Sequence, residues 1–293
     1  MSFIKSQYPI ICAAMNRVSD VKLALAVAKA GCVPSLVVHN YIESELDNDI
    51  SKVINEMEEF TALAGSTEFI LALRSDLLLK APRLVAGILK HHPDYLELFD
   101  DVDVANSKLT TIIKLFRKSG IKIIYKVLGT RPIGELVNYI DALVVKGPDA
   151  AARVGKLPIS LLDKVTQLKT THNHLSIIAS GGISSFKDIQ DCLEAGASAV
   201  SLGTVFAVSV ESSISEETKL KMIAATFDQV QNIGSARQNA LVFTNEEDVD
   251  GNHTRGLEMG IKSPTCGHIF VGKAIDTIDT IRPVIEIVAK LTS

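Results

Sequence analysis

Tryptophan is absent from this 293-residue chain and aromatic residues make up only 5% of it, so it offers few flat surfaces for stacking nucleic-acid bases. Neither sign of charge dominates. Thirty basic and 34 acidic side chains leave a formal charge of −4, without the cationic footprint that a nucleic-acid backbone demands. No apolar run approaches the ~18 residues of a membrane span, so no membrane partner is expected. The opening Met1-Ser2-Phe3-Ile4-Lys5 lacks the apolar core of an export signal, which makes the cytosol the expected compartment. The four cysteines (Cys12, Cys32, Cys192, Cys266) form no C-x-x-C pair and have no histidine at metal spacing. They read as buried, inert thiols, with Cys266, beside Gly267 and His268, the one best placed for reactivity. No metal site is expected. What the chain does have is 47% apolar and 22% charged residues, the balance of a protein with a large core.

Short β-branched runs alternate with longer amphipathic stretches. The apolar runs cover 9–14, 33–38, 68–73, 95–99, 122–127, 142–145, 175–179 and 199–202. Between them, spacing predicts helices over 20–30, 43–64, 76–91, 105–119, 132–139, 158–170 and 185–195. Asp20, Asp76 and Ser185 are candidate caps, and Gly31, Gly120 and Gly196 fall where helices end. Continuous rather than alternating apolar strands indicate burial on both faces, as in a parallel sheet under helices. Eight strand–helix units and no G-x-G-x-x-G anywhere favour an α/β fold of the (β/α)8 TIM-barrel type over a doubly wound sheet. Beyond residue 206 a helix over 215–226 is expected, then an irregular, lid-like segment over about 232–265 and a terminal helix over 276–291. The whole chain, 1–293, reads as one barrel domain. The acidic stretch 246–251 partly mimics a calcium loop, but its glutamate falls one place late, at Glu258.

A barrel builds its active site from the C-terminal ends of its strands. Those ends offer Met15 and Asn16, His39 and Asn40, Arg74, Asp100 and Asp101, Lys126, Lys146, Ser180-Gly181-Gly182 and Gly203-Thr204. The glycines of the last two groups let bare backbone N–H groups approach an anion, and a phosphate gripped between loops seven and eight recurs in such barrels. Lys126, Lys146 and Arg74 would face that phosphate and point to an anionic ligand, while a desolvated lysine there would equally serve as a Schiff-base nucleophile.

Tyr8-Pro9-Ile10-Ile11-Cys12-Ala13-Ala14-Met15 resembles the opening P-I-[IV]-Q-A-P-M of the nitronate monooxygenase family, FMN-dependent barrels related to the flavin enoyl-ACP reductases. Ile177-Ile178-Ala179-Ser180-Gly181-Gly182-Ile183 and the run Leu193 to Thr204 are similar to its V-I-A-A-G-G-I and L-G-A-x-x-V-x-x-G-T. Gly234 to Arg237 and Gly267 to Lys273 extend the resemblance into the tail. It implies FMN, with phosphate held by Gly181, Gly182, Gly203 and Thr204, the ring near Ala14 and Met15, Lys126 in contact with the flavin, and Arg74 near a flavin-facing family asparagine.

The sixth loop departs from the family. Where members read roughly Q-G-x-E-A-G-G-H-x-G, this chain has Lys146, then Ala151 and Ala152 for two glycines, and Arg153 for the catalytic histidine. A guanidinium stays protonated and cannot abstract a C–H proton as imidazole does. The expected activity is therefore an FMN-dependent oxidation or reduction of a small, anionic substrate, with Arg153 and Lys146 as catalytic groups and His39 or His268 as alternative bases. Oxygen or NAD(P)H would be the redox partner, with a homodimer left open. A Schiff-base lyase or aldolase and a catalytically silent flavin binder are the alternatives.

Overall fold

The computed structural model describes residues 3–38, 45–99, 106–127, 134–154, 159–234, 238–243 and 253–293. Eight parallel strands carry the barrel: β1 (Ile10–Cys12), β2 (Ser35–Val37), β3 (Ile70–Arg74), β4 (Tyr95–Phe99), β5 (Lys122–Val127), β6 (Ala142–Lys146), β8 (Ser176–Ser180) and β9 (Ala199–Leu202). A two-residue strand, β7 (Ala152–Arg153), lies between them in sequence but outside the barrel. The order runs β1-β9-β8-β6-β5-β4-β3-β2, and a parallel bridge between Ile11 and Val33 brings the two edges together.

Helices cover the outside: α1 (Val21–Lys29), α2 (Leu46–Ala64), α3 (Leu77–Lys80), α4 (Pro82–His91), α5 (Ser107–Lys118), α6 (Leu161–Thr171) and α7 (Phe186–Glu194). The expected caps at Asp20 and Ser185 form, the latter as a reciprocal capping box with Asp188. Asp76 caps nothing, because its carboxylate is taken by Arg74. The expected helix over 76–91 is broken at Ala81-Pro82, where proline cannot continue the hydrogen-bond ladder. Over the described part of 132–139 there is only a 3₁₀ turn, Gly134–Asn138.

The C-terminal region departs most from the expected pattern. After α8 (Thr204–Ala207) and α9 (Glu216–Ile223), the supposedly irregular segment contains β10 (Gln231–Ile233), β11 (Gln238–Val242) and α10 (His253–Lys262), followed by β12 (His268–Phe270). β11 is the centre of a small antiparallel sheet, flanked by β10, β12 and β7. The terminal helix is shorter than expected: α11 spans Val284–Leu291, directly after Pro283, and Lys273–Thr277 is a separate 3₁₀ turn. No helix among the described residues is long and apolar enough to cross a membrane.

The barrel interior explains where ligands can enter. Ile11, Val33, Ile70, Ile124, Val144 and Ile178 form a dry middle layer. At the N-terminal end Glu68 accepts from the amides of Lys5 (2.7 Å) and Ser6 (2.6 Å) and from the Tyr95 hydroxyl (2.8 Å), so the first residues plug that opening. Only the C-terminal mouth is left.

Outside the barrel, Glu56 of α2 is buried with one partner, Lys52, at 3.7 Å. Burial pushes its carboxyl up from 4.5 to about 7, with Lys52 opposing only in part. The folded state thus holds a proton that the unfolded chain has released between those pH values, so this contribution to stability is present below about pH 4.5 and is lost as pH rises to about 7. Glu56→Gln is expected to stabilise the protein by about 1–2 kcal/mol at pH 8, after allowing for solvent and Lys52 screening. The gain should vanish at pH 4, which denaturant titrations at both pH values would check.

Candidate active site

Along six of the eight strands, the residue two places beyond the dry layer points the same way and is no longer strongly apolar: Ala13, Glu97, Lys126, Lys146, Ser180 and Ser201. They lead up to a cavity of about 200 Å³ at the C-terminal mouth. Ala14 and Met15 after β1, Lys126, Lys146, Gly181, Gly182, Gly203, Thr204 and Arg153 all line it. The small sheet contributes Gln238 and Phe270, and α10 contributes Leu257, as a roof.

Gly181 and Gly182 turn sharply out of β8 with φ of +109° and +75°, conformations that side-chain-bearing residues rarely adopt. The amides of Gly181, Gly182 and Gly203 donate to no protein acceptor among the described residues. Loop packing is a second reason for glycine. A Cβ on Gly181 would stand 2.6 Å from the Ala150 Cβ, and one on Gly272 would stand 2.6 Å from the Asp149 carbonyl oxygen. The sixth loop is thereby wedged between the two, and the Lys273 amide bonds the Asp149 carbonyl at 2.9 Å. Thr204 Oγ1 accepts from the Gly272 amide at 3.0 Å, which leaves its own hydroxyl hydrogen to donate elsewhere.

The four cations expected at the mouth meet different fates. Lys126 is ion-paired with Glu97, whose side chain is buried on the barrel axis. Lys146 donates to the Ala151 carbonyl at 2.6 Å. Its amine is pushed down to about 7 by burial first, then by the Lys126 and Arg153 charges, with Glu97 opposing. Arg153 sits on β7 opposite Gln238, so the two side chains share one face of the roof sheet. Arg74 is not among the lining residues: its guanidinium forks onto Asp76 at 3.0 and 2.7 Å.

The sixth loop is also strained where glycines were expected from the resemblance. Ala152 has φ +55°, a left-handed conformation that costs an L-residue about 1–2 kcal/mol. Asn239 of β11 holds this loop in place, donating to the Pro148 and Ala150 carbonyls at 3.2 and 2.8 Å. Ala152→Gly should raise stability by about 1 kcal/mol, once the extra chain entropy of glycine is set against the relieved strain. The shift of the urea midpoint at unchanged slope would measure it.

Of the alternative bases, His268 is buried in β12 with its ring 5.1 Å from that of Phe270, and does not line the cavity. His39, Asn40, Asp100 and Asp101, the 235–237 part of the tail resemblance and the acidic stretch 246–251 lie outside the described residues. Glu258, the misplaced calcium-loop residue, bonds Arg17 at 2.9 Å. Sequence reasoning missed Glu97, Ser201, Gln238 and Asn239. Glu97 carried a signal, a lone carboxylate in the apolar run Tyr95 to Phe99. Gln238 and Asn239 carried none, since their role arises from pairing with β7.

A parallel eight-stranded barrel whose cavity opens at the C-terminal ends of its strands is the architecture of the TIM-barrel enzymes, which build their active sites at that face. Residues 105–293 match the nitronate monooxygenase family, and the chain belongs to that family, an oxidoreductase family of flavin enzymes. No curated protein sequence matches the chain. Its fold is similar to FabK from Thermotoga maritima (TM-score 0.80, 20% identity, 98% of this chain and 92% of that one). It is also similar to nitroalkane oxidase from Streptomyces ansochromogenes (TM-score 0.75, 18% identity, 98% and 95%). A third similar structure is the enoyl reductase domain of MlnA from Bacillus amyloliquefaciens (TM-score 0.76, 13% identity, 98% and 93%).

Proposed function

We propose that the protein is an FMN-dependent oxidoreductase acting on a small substrate that arrives as an anion. The observation that carries this reading is the set of glycine amides without acceptors among the described residues, set in the same cavity wall as Lys126, Lys146 and Arg153. The donor set fits a phosphate-bearing flavin. Amides of Gly181, Gly182 and Gly203 with the Thr204 hydroxyl suit a dianionic phosphate, and Ala14 and Met15 give an apolar wall for a ring. The cavity is smaller than the ~300 Å³ at which ligand pockets begin, so a whole cofactor would extend from it toward the mouth.

When bound, FMN would supply two-electron redox chemistry, with oxygen or NAD(P)H as the other partner. Lys126, held in place by its ion pair with Glu97, would stabilise negative charge on the ring. Arg153 has no basic nitrogen to offer at neutral pH, so its role is to bind and orient the substrate's negative charge rather than to remove a proton. Lys146, in the same cavity lining, provides a second donor. The barrel supplies the cradle and the β7–β10–β11–β12 sheet the roof, so the chain acts as one functional unit.

An absorbance spectrum of the freshly purified protein tests the reading: flavin bands, or their appearance on FMN titration, are expected. Protein that stays colourless through the titration would overturn it.

A further inference from the structure

We propose that Lys146, Ser180 and Ser201 form an oxyanion subsite in the floor of the cavity, built to take a planar, singly charged head group such as a carboxylate. This deepens the reading of an anionic substrate and rests on it, but the subsite itself is argued from the barrel alone. Strand register places the three side by side: Lys146 pairs with Ser180 across β6 and β8, and Ser180 with Ser201 across β8 and β9. Strands stand roughly 5 Å apart, so three polar side chains follow one another along a single rung of the barrel wall. All three line the cavity.

Ser201 is the telling member. Its hydroxyl is buried, with the residue 2% exposed, and has no hydrogen-bond partner among the described residues. Ser180 is 9% exposed, and its hydroxyl likewise bonds no described residue. Buried hydroxyls without partners cost stability, and a core position on β9 would be filled more cheaply by alanine or valine. A buried orphan hydroxyl on Ser201, flanked by the cavity-facing Ser180 hydroxyl and a lysine, therefore reads as a donor set kept for a ligand. An ammonium and two hydroxyls, spread along one rung, match the two oxygens of a planar oxyanion better than the tetrahedral phosphate suited to the glycine turns above. The Gly181, Gly182 and Gly203 amides and this rung are thus two separate anion sites in one cavity.

The test is binding of isotope-labelled acetate to the protein as purified, followed by saturable broadening of its magnetic-resonance signal. It is repeated after bound small molecules are removed. Flavin content of each sample is read from the absorbance of released flavin. Wild type is expected to bind acetate, with Ser201→Ala and Ser180→Ala each weakening it about tenfold and Lys146→Met removing it. Ser201→Ala should at the same time leave thermal stability unchanged or raised, because folding alone gains nothing from that hydroxyl. Failure of wild type to bind acetate in either sample would overturn the subsite. So would binding that ignores both Ser201→Ala and Lys146→Met. Serine-dependent acetate binding in protein that holds no flavin would preserve the subsite and sink the cofactor reading.

Discussion

Gly181→Ala is expected to cost about 2–6 kcal/mol of stability, a large share of what a domain possesses. Two independent penalties combine. The φ of +109° is one an L-residue holds only under strain of about 1–3 kcal/mol. The added methyl would also meet the Ala150 Cβ at 2.6 Å and its Cα at 2.9 Å, a collision with backbone in a packed loop that costs about 1–3 kcal/mol to relieve. Gly65→Ala is the matched control. That glycine, at φ +63° and ψ −128°, is also in a region an L-residue holds only under strain, but nothing lies within 4 Å of an added Cβ, so only the conformational term, about 1–3 kcal/mol, should appear. Ala150→Gly in the Gly181→Ala background should return part of the loss, since it removes one of the colliding atoms. Urea midpoints for the four proteins decide the matter. Equal costs at Gly181 and Gly65 would mean that the sixth loop yields freely and is not wedged as described.

Lys126→Met should destabilise by about 2–4 kcal/mol, because it takes the ion-pair partner from the Glu97 carboxylate, 1% exposed inside the barrel, and leaves only the more distant field of Lys146 to offset it. Removing one partner of a buried pair leaves an uncompensated charge, whereas replacing both with apolar groups of similar volume is often close to neutral. The double variant Lys126→Met, Glu97→Leu is therefore expected to recover most of the lost stability while recovering none of the flavin affinity that depends on Lys126. Stability and flavin retention, measured on the same three proteins, separate the two roles. Parallel recovery of both would show that Lys126 serves the ligand only by keeping the barrel folded.

The barrel was legible because its signals are local. β4, β5 and β9 match the expected apolar runs to the residue, and the helix-ending glycines Gly31, Gly120 and Gly196 take φ of +80°, +98° and +106°. Burial on both faces forces a parallel strand to be apolar throughout, and a left-handed turn forces a glycine, whatever lies elsewhere in the chain. The roof sheet was illegible for the converse reason. β7, β10 and β12 are two or three residues long, too short for any period to register, and they become strands only by pairing with β11.

The same division runs through the site. By itself the sequence determined the succession of eight strands and helices, the glycines at two adjacent strand ends, and lysines on the inward positions of β5 and β6. Each of these depends on periodicity or on one residue's backbone freedom. Only the tertiary structure decided which distant groups act together: it tied Lys126 to Glu97, set Arg153 opposite Gln238, and aligned Ser201 with Ser180 and Lys146. Electrostatic partnership depends on distance in space and on burial, and neither is encoded by neighbours along the chain.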